Sequence, residues 1–448
     1  MPRFLRHLGH EAPETAEFWR FFGKKDERKQ AHKLPLHLKD VIGALDVDKV
    51  KALKMPQKLK EYLEETTRWL SDPLKYDELQ TRSGRTPSQG QVKWSEHDVE
   101  RFVAAGKVEY GATPTGELGG ARAFPTPEWE KERRRALWES FINDRITAVP
   151  TVRFRSKEEQ HRILSKARWA ALYDFAAYYD QIQMEQSVRR FHGTQWKGKW
   201  LQPTVLPMGF RPACAIAQAL TWAIVEDLTV GTSCSIISYI DNVAIVGGSK
   251  DEVKLVAERF VQRCHEVGAV LNDETINIQD EFEFLGTRYN LANKSRCCTG
   301  KTRTKLEVVR EYLAERLHGS DNTDPKKPIQ LNFSKREMAA VIGLALYGSQ
   351  VLGYELCNVY WVMRYWSETS AVTHWDKWEE QTPDMRRDTL CTLISWITNL
   401  AKNTPVAIAS KILGPIDAIL FVDASERGYG VVAVTGSGAQ WHSGQWDK

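Results

Sequence analysis

Two stretches of the chain carry the apolar spacing of strands. Ser238-Tyr239-Ile240-Asp241-Asn242-Val243-Ala244-Ile245-Val246 reads as two apolar arms folded back on each other, with Asp241-Asn242 at the tip. Tyr, Ile and Val favour strands. Asn tolerates positive φ in a tight turn, and Gly247-Gly248 ends the second arm. The other run, Trp169-Ala170-Ala171-Leu172-Tyr173, leads into a lone Asp174, with Phe175, Tyr178 and Tyr179 beyond it. Taken singly, each is an ordinary element: a hairpin with an acidic tip, and a buried strand ending at a capping Asp.

Helical spacing accounts for much of the remainder. Phe18, Phe21 and Phe22 share one face, and Leu59, Tyr62 and Leu63 share another, with Leu70 close by. Helices are therefore expected before residue 75, either packed on the main body or forming an arm that binds a nucleic-acid strand or another partner. Residues 71–127 are rich in Gly, Pro, Thr and Ser, loosest from Thr113 to Pro127. They read as a linker with a short helix near Ser95 to Ala105. Leu206 to Glu226 begins as a Pro-Gly turn and becomes a helix kept slim by Ala215, Ala217 and Ala219. Asp251 to Gly268 is amphipathic, with Val253, Val256, Phe260, Val261 and Cys264 inward. Leu306, Val309, Leu313 and Leu317 form a further stripe. Residues 318–330 read as a polar linker. Ser334 with Glu337 makes a capping box opening a helical stretch in which Trp361, Tyr365 and Trp366 are expected in the core. Strand patterns return at Ala418 to Ser425 and Gly428 to Val434.

Composition changes this picture little. A chain of 448 residues is long enough for several cored domains, and a formal net charge of +4 does not by itself indicate a nucleic-acid partner. Charge is uneven, however. From Lys131 to Ala170 there are 11 Lys or Arg against 5 acids, densest at Arg133-Arg134-Arg135. Lys294, Arg296, Lys301, Arg303 and Lys305 follow one another with no acid between them. Phe191 to Trp200 sets Trp196 and Trp200 among basic residues, as a loop near nucleic acid or a surface hairpin. The 7 Cys make no CxxC pair, which argues against a zinc ribbon or disulfide framework and fits a reducing compartment. The N-terminus lacks a signal-peptide core, and no apolar run reaches the ~18 residues of a membrane span. An intracellular protein of cytoplasm or nucleus, not secreted and with no membrane partner, is the expectation.

The candidate chemistry lies in the two acidic strand ends. Asp174 and Asp241 are far apart in sequence but can converge on one point of an antiparallel sheet. Paired carboxylates hold Mg²⁺ through hard oxygen ligands, and two such ions clamp the attacking and leaving oxygens of a phosphoryl transfer.

The order of motifs makes this specific. Asp174-x4-Tyr179, then Leu206-Pro207-Met208-Gly209-Phe210-Arg211-Pro212-Ala213 with Ala215-Ile216-Ala217-Gln218, then Tyr239-Ile240-Asp241-Asn242, then Phe284-Leu285-Gly286, resembles the palm of a reverse transcriptase. The likeness runs from about Phe124 to Tyr289. From about Ser334 onward the chain resembles the connection and RNase H regions of retrotransposon polyproteins of the LTR or tyrosine-recombinase groups, leaning to the second.

The resemblance implies an α+β right-hand polymerase: fingers, palm and thumb, an antiparallel palm sheet, a helical connection and an incomplete RNase H-like α/β domain. The implied divisions are 1–75 (N-terminal helical region), 76–127 (linker and start of fingers), 128–290 (fingers and palm), 291–410 (thumb and connection) and 411–448 (RNase H-like hairpin). The implied activity is RNA-directed DNA polymerisation with Mg²⁺ or Mn²⁺, an RNA template, a DNA primer or RNA–DNA hybrid, and deoxynucleoside triphosphates. Asp174 and Asp241 would hold metal, with Asn242 beside them and the Phe175 carbonyl assisting. Arg134, nine positions before Asn143, would meet the nucleotide's phosphates, and Tyr179 would exclude a 2′-hydroxyl. Met208 and Gly209 would touch base and sugar, and Gln218 would hydrogen-bond behind the site. Phe284, Leu285 and Gly286 would grip the primer end.

Three departures qualify this. Cys214 stands where the family usually has Pro. Asn242 replaces a second Asp, and Glu274 stands where the family has Lys, so that it would repel phosphates. Asp423 matches the first RNase H carboxylate, but the sequence given reaches Lys448 without its companions, so no RNase H activity is expected. The exposed edge of this partial sheet should be sticky. The alternative is a decayed or domesticated reverse transcriptase acting as a nucleic-acid-binding or scaffold protein.

Overall fold

The computed structural model describes residues 34–80, 91–112, 120–128, 131–318, 324–370, 377–378, 380–409, 418–425, 428–435 and 438–445. The helix expected around Phe18, Phe21 and Phe22 lies outside them. In chain order, the elements that matter are helix α1 (Gln57–Thr67), α2 (Glu96–Ala104), strands β1 (Ala121–Glu128) and β2 (Arg133–Ser140), α3 (Lys157–Lys166) and β3 (Trp169–Asp174). Helix α4 (Ala213–Val225), strands β4 (Ser235–Tyr239) and β5 (Asn242–Gly247) and α5 (Lys250–Val267) follow. Next come β6 (Glu281–Phe284), β7 (Thr287–Asn290), β8 (Ser295–Cys298), α6 (Gly300–His318), α7 (Lys335–Leu352), α8 (Tyr360–Thr369), α9 (Arg387–Ala401) and β9 (Val406–Ala407). Last are β10 (Ala418–Ala424), β11 (Gly428–Thr435) and β12 (Gly438–Gln445). Helices mixed with antiparallel sheets give the expected α+β class.

The centre is the three-stranded antiparallel sheet β3-β5-β4. Both faces are covered. Val243 and Ile245 enter a core with α1, α4 and α5, whereas Ala244 and Val246 enter a second core with Phe282, Phe284 and Tyr289. Double burial explains why β5 reads as a continuous apolar run rather than an alternation. Residues 34–80 are part of the body: Leu63, Trp69, Tyr76 and Leu79 lie in the same core as α4.

Three local expectations are corrected. The hairpin turn is Ile240-Asp241, not Asp241-Asn242, because Tyr239 pairs with Asn242 and the positive φ (54°) falls on Ile240. Residues 121–127 are strand, not linker. Pro125 and Pro127 sit beyond the short stretch at Arg122 and Ala123 where β1 is paired on both sides, so their missing N–H groups cost no ladder bond there. Trp361 is 59% exposed, because α8 turns Val362 to the core; Tyr365 and Trp366 pack against that core half-buried.

Strands β6, β7, β8 and β9 form a second antiparallel sheet, and α6, α7 and α9 share a helical core that includes Leu306, Val341, Leu393 and Trp396. Strands β10, β11 and β12 form a separate antiparallel meander. Among the described residues no helix is long and apolar enough to cross a membrane.

Candidate active site

Strand pairing brings the two acids together. β3 and β5 pair from Trp169 opposite Gly247 to Asp174 opposite Asn242. Phe175 N donates to Asp241 O at 2.8 Å, and Asn272 N donates to Asp174 O at 2.8 Å. Asp174 and Asp241 therefore end adjacent strands, and both line one cavity of about 360 Å³. The turn bearing Asp241 is gripped from α4. Buried Gln218 accepts from Ile240 N at 2.6 Å and donates to Ser238 Oγ at 3.2 Å. Thr221 Oγ1 donates to Ile240 O at 2.6 Å. A β-branched residue at positive φ is strained, and such strain persists only where surrounding bonds over-determine it.

Burial pushes the Asp174 carboxyl above the usual range, and the charge of Asp241 adds to this; a hydrogen bond from Asn272 and the charges of Lys131 and Lys39 partly offset it. Asp241 is also raised by burial, against its own backbone hydrogen bond and the charges of Arg135 and Lys131. Asn272 Nδ2 donates to Asp174 Oδ2 at 2.6 Å and to Phe175 O at 3.3 Å. Lys39 Nζ donates to Asn272 Oδ1. Asn242 Nδ2 donates to Asp241 Oδ1 at 3.1 Å, and Asn242 does not line the cavity.

The donor set suits a hard cation. Among the described residues no three His, Cys, Asp or Glu side chains cluster to enclose a metal. Two carboxylates beside a backbone carbonyl match Mg²⁺, which keeps waters and binds through one or two carboxylates plus substrate phosphates.

The opposite wall is cationic, but not through Arg134. That side chain is buried, with Nη2 3.4 Å from Asp98 Oδ2 and Nε donating to Leu34 O at 2.5 Å. Alternation along β2 sends its neighbours to the other face, and Arg133 and Arg135, with Lys131, line the cavity instead. Glu128 bonds Arg133 at 2.5 Å and Arg135 at 2.8 Å. Burial would raise the Glu128 carboxyl, but these guanidinium groups and Lys131 hold it below the usual range. Arg133 Nη1 also lies 3.1 Å from His37, whose pKa burial and Arg133 lower to about 4. Lys107 pairs with Asp180 at 2.7 Å.

Tyr179 and Met208 also line the cavity. Tyr179 Oη lies 3.4 Å from Cys214 Sγ, so the Cys214 departure touches the expected sugar gate. Gly209 lies outside the lining. Its φ is 116°, and a Cβ there would sit 3.0 Å from Trp138 O, so the close approach to β2 requires glycine. Asn143 clamps this loop, donating to Gly209 O at 2.7 Å and accepting from Arg211 N at 2.8 Å. Phe210 anchors the loop below, edge-on to buried His192 at 4.6 Å. Burial lowers the His192 pKa to about 3, so the ring is neutral.

Phe284 ends β6 opposite Thr287, and Leu285-Gly286 form the β6–β7 turn, both at positive φ and away from the cavity. Tyr347 of α7 donates to Leu285 O at 3.2 Å. Glu274 is turned away too, 3.0 Å from His265 Nε2, so it does not face the phosphate wall. Asp423 sits in β10 opposite Gly430, in the separate meander.

Sequence reasoning missed Asn272 and Lys39 as cavity residues; it held Lys131, Arg133 and Arg135 only as members of a basic run, read as a solvated face or a triphosphate and template clamp, and singled out Arg134 from it. Asn272 had one visible signal, as the first polar residue after the apolar run Ala269-Val270-Leu271. Lys39 had none, since it reaches the site from 233 residues away.

Residues 133–289 match the family model described as Reverse transcriptase (RNA-dependent DNA polymerase). This segment is a reverse transcriptase domain. At the family level it is an RNA-directed DNA polymerase, and both Asp174 and Asp241 fall inside it. No curated protein matches the chain. Among solved structures, a foamy viral protease-reverse transcriptase dRH in complex with ds DNA is 14% identical with a TM-score of 0.51, over 92% of this chain and 70% of that one. A foamy viral protease-reverse transcriptase in complex with dsDNA is 14% identical, TM-score 0.52, over 93% and 83%. The same kind of protein in complex with an RNA/DNA hybrid gives 14% and 0.52 over 93% of this chain and 54% of that one. At such identity the likeness is one of fold.

Proposed function

We propose that the protein is a template-directed, RNA-directed DNA polymerase of retrotransposon origin. The observation that carries this reading is the convergence of Asp174 and Asp241 on one cavity faced by Lys131, Arg133 and Arg135. Asp174, Asp241 and the Phe175 carbonyl would hold Mg²⁺ or Mn²⁺. When bound, such ions neutralise the charge that develops on phosphate oxygens. Arg133 and Arg135, prepared by Glu128, orient the deoxynucleotide's triphosphate in the role expected of Arg134. Tyr179 closes the space a 2′-hydroxyl would need. Gln218 fixes the turn that aims Asp241, and the Phe284-Leu285-Gly286 turn steadies the primer end. The bound partners of the foamy viral structures fit a primer–template duplex along the same fold.

Asn242 favours a second reading, a palm that binds nucleic acid without catalysis, because it removes one carboxylate. Glu274 does not strengthen that reading, since it faces His265. Primer extension on an RNA template with deoxynucleotides and Mg²⁺ or Mn²⁺ separates the two. Extension by wild type and none by Asp241→Ala is expected. Equal failure of both, with duplex binding intact, would overturn the polymerase.

A further inference from the structure

The chain from Pro35 to Leu45 is a strap laid across the cavity. At one end His37 N donates to Arg134 O at 2.7 Å and Arg134 N donates to Pro35 O at 2.9 Å. At the other, Gly43 N donates to Asp180 O at 2.9 Å and Leu45 N to Gln181 O at 3.1 Å. Leu36 and Leu45 are buried as anchors. Between them His37 and Lys39 line the cavity. The strap lies outside the segment matched as reverse transcriptase.

The cavity's cations differ in what holds them. Arg133 and Arg135 share Glu128, and Lys107 is tied to Asp180. Lys39 instead donates to a neutral amide oxygen of Asn272, the residue whose Nδ2 holds Asp174. Its charge is felt at Asp174, and among the described residues no direct ion pair cancels it. A half-buried ammonium bonded, among the described residues, only to an amide exchanges that partner readily for an anion. The strap is already fixed at both ends, so little ordering cost remains.

We propose that Lys39 binds the triphosphate of the incoming nucleotide, a contact supplied by the strap and not by the reverse transcriptase domain. The inference rests on the polymerase reading and names a further nucleotide-binding residue for it. On nucleotide arrival Nζ passes from Asn272 Oδ1 to a phosphate oxygen, a charge-assisted bond. Asn272 keeps its own bond to Asp174, so no covalent step is involved.

The test is nucleotide affinity, read by titrating dTTP with Mg²⁺ into the full chain bound to a primer–template whose primer ends in a dideoxynucleotide. Affinity is then measured without extension. Lys39→Met is expected to weaken nucleotide binding roughly tenfold or more, with duplex affinity unchanged. Lys39→Arg should recover most of the loss, and Asp40→Ala, at an exposed neighbour, should change nothing. In extension assays Lys39→Met should raise KM more than it lowers kcat. Equal nucleotide affinity in wild type and Lys39→Met overturns the proposal. That includes the case of a lowered Tm with unchanged affinity, which would make Lys39 only a tether for Asn272. Nucleotide binding that depends on Lys39, without extension of an ordinary primer, would overturn the polymerase reading and leave this one standing. No nucleotide binding by wild type would overturn both.

Discussion

Asp174 and Asp241 place two half-buried like charges against one cavity, and the cost falls on the folded state. Burial, and for Asp174 the neighbouring charge, raise both carboxyls above their unfolded values. A raised acid binds its proton more tightly when folded, so its contribution to stability falls as pH rises from the unfolded pKa through the folded one. The penalty is absent below the unfolded pKa and grows as pH rises from there toward neutrality. Asp241→Asn should therefore raise Tm in divalent-free buffer near pH 7, and the gain should vanish below about pH 4, where the unfolded carboxyl is protonated as well. Thermal melts across that range check the sign. The same substitution should reduce extension by more than the roughly 100-fold that loss of an outer partner costs. Asn272→Ala removes such a partner from Asp174; a fall in extension of about 10- to 100-fold is expected, with duplex binding retained. Asn242→Asp should lower the Mg²⁺ concentration needed for half-maximal extension while lowering Tm without metal, since it adds a third negative charge beside Asp241.

At the scale of elements, β2 shows where one residue of register decides a role. Arg133-Arg134-Arg135 offers three identical side chains, and nothing in that run says which parity faces the cavity. The deciding partner is Asp98, buried on α2 and distant in sequence. Removing one member of a buried ion pair costs about 3–5 kcal/mol. Arg134→Met should thus lower stability on that order while leaving nucleotide affinity near wild type, whereas Arg135→Ala should weaken nucleotide affinity with little loss of stability. Denaturant melts beside nucleotide titrations separate these outcomes. The convergence of the acidic strand ends was legible because apolar runs flank both and the order of motifs marks both as palm strands, although β3 and β5 pair across about 70 residues and only β4 and β5 form a hairpin. The buried Gln218 was legible through the motif around it, although its grip on Ile240 was not. The strap was not legible and Asn272 only faintly so, because their contacts join residues 98 to 233 positions apart and involve single polar residues with no periodic signature. The β6–β7 turn shows the same limit. Its Leu-Gly sequence marks a turn, but the collision a side chain at Gly286 would meet at Tyr347 depends on where α7 docks.

At the scale of the whole molecule, the β10-β11-β12 meander stands apart in character from the buried sheet at the centre. Register sets Phe421 opposite Val432, and Val432 opposite Trp441. The three form one apolar row across three strands, with Phe421 and Trp441 60% and 78% exposed. Leu420 and Val422, on the opposite face, are exposed as well. An exposed sheet with apolar side chains on both faces invites pairing with another chain, and a net charge of +4 over 448 residues provides little repulsion against it. The protein should therefore self-associate as concentration rises. Trp441→Lys places a charge at the end of the row, where the side chain is most exposed and contributes least to the fold. It should reduce concentration-dependent light scattering and leave duplex affinity and extension unchanged, because the meander supplies no residue to the cavity. Scattering as strong in Trp441→Lys as in wild type would show that association runs through another surface. Reduced scattering together with reduced extension would instead tie the meander to the polymerase cycle.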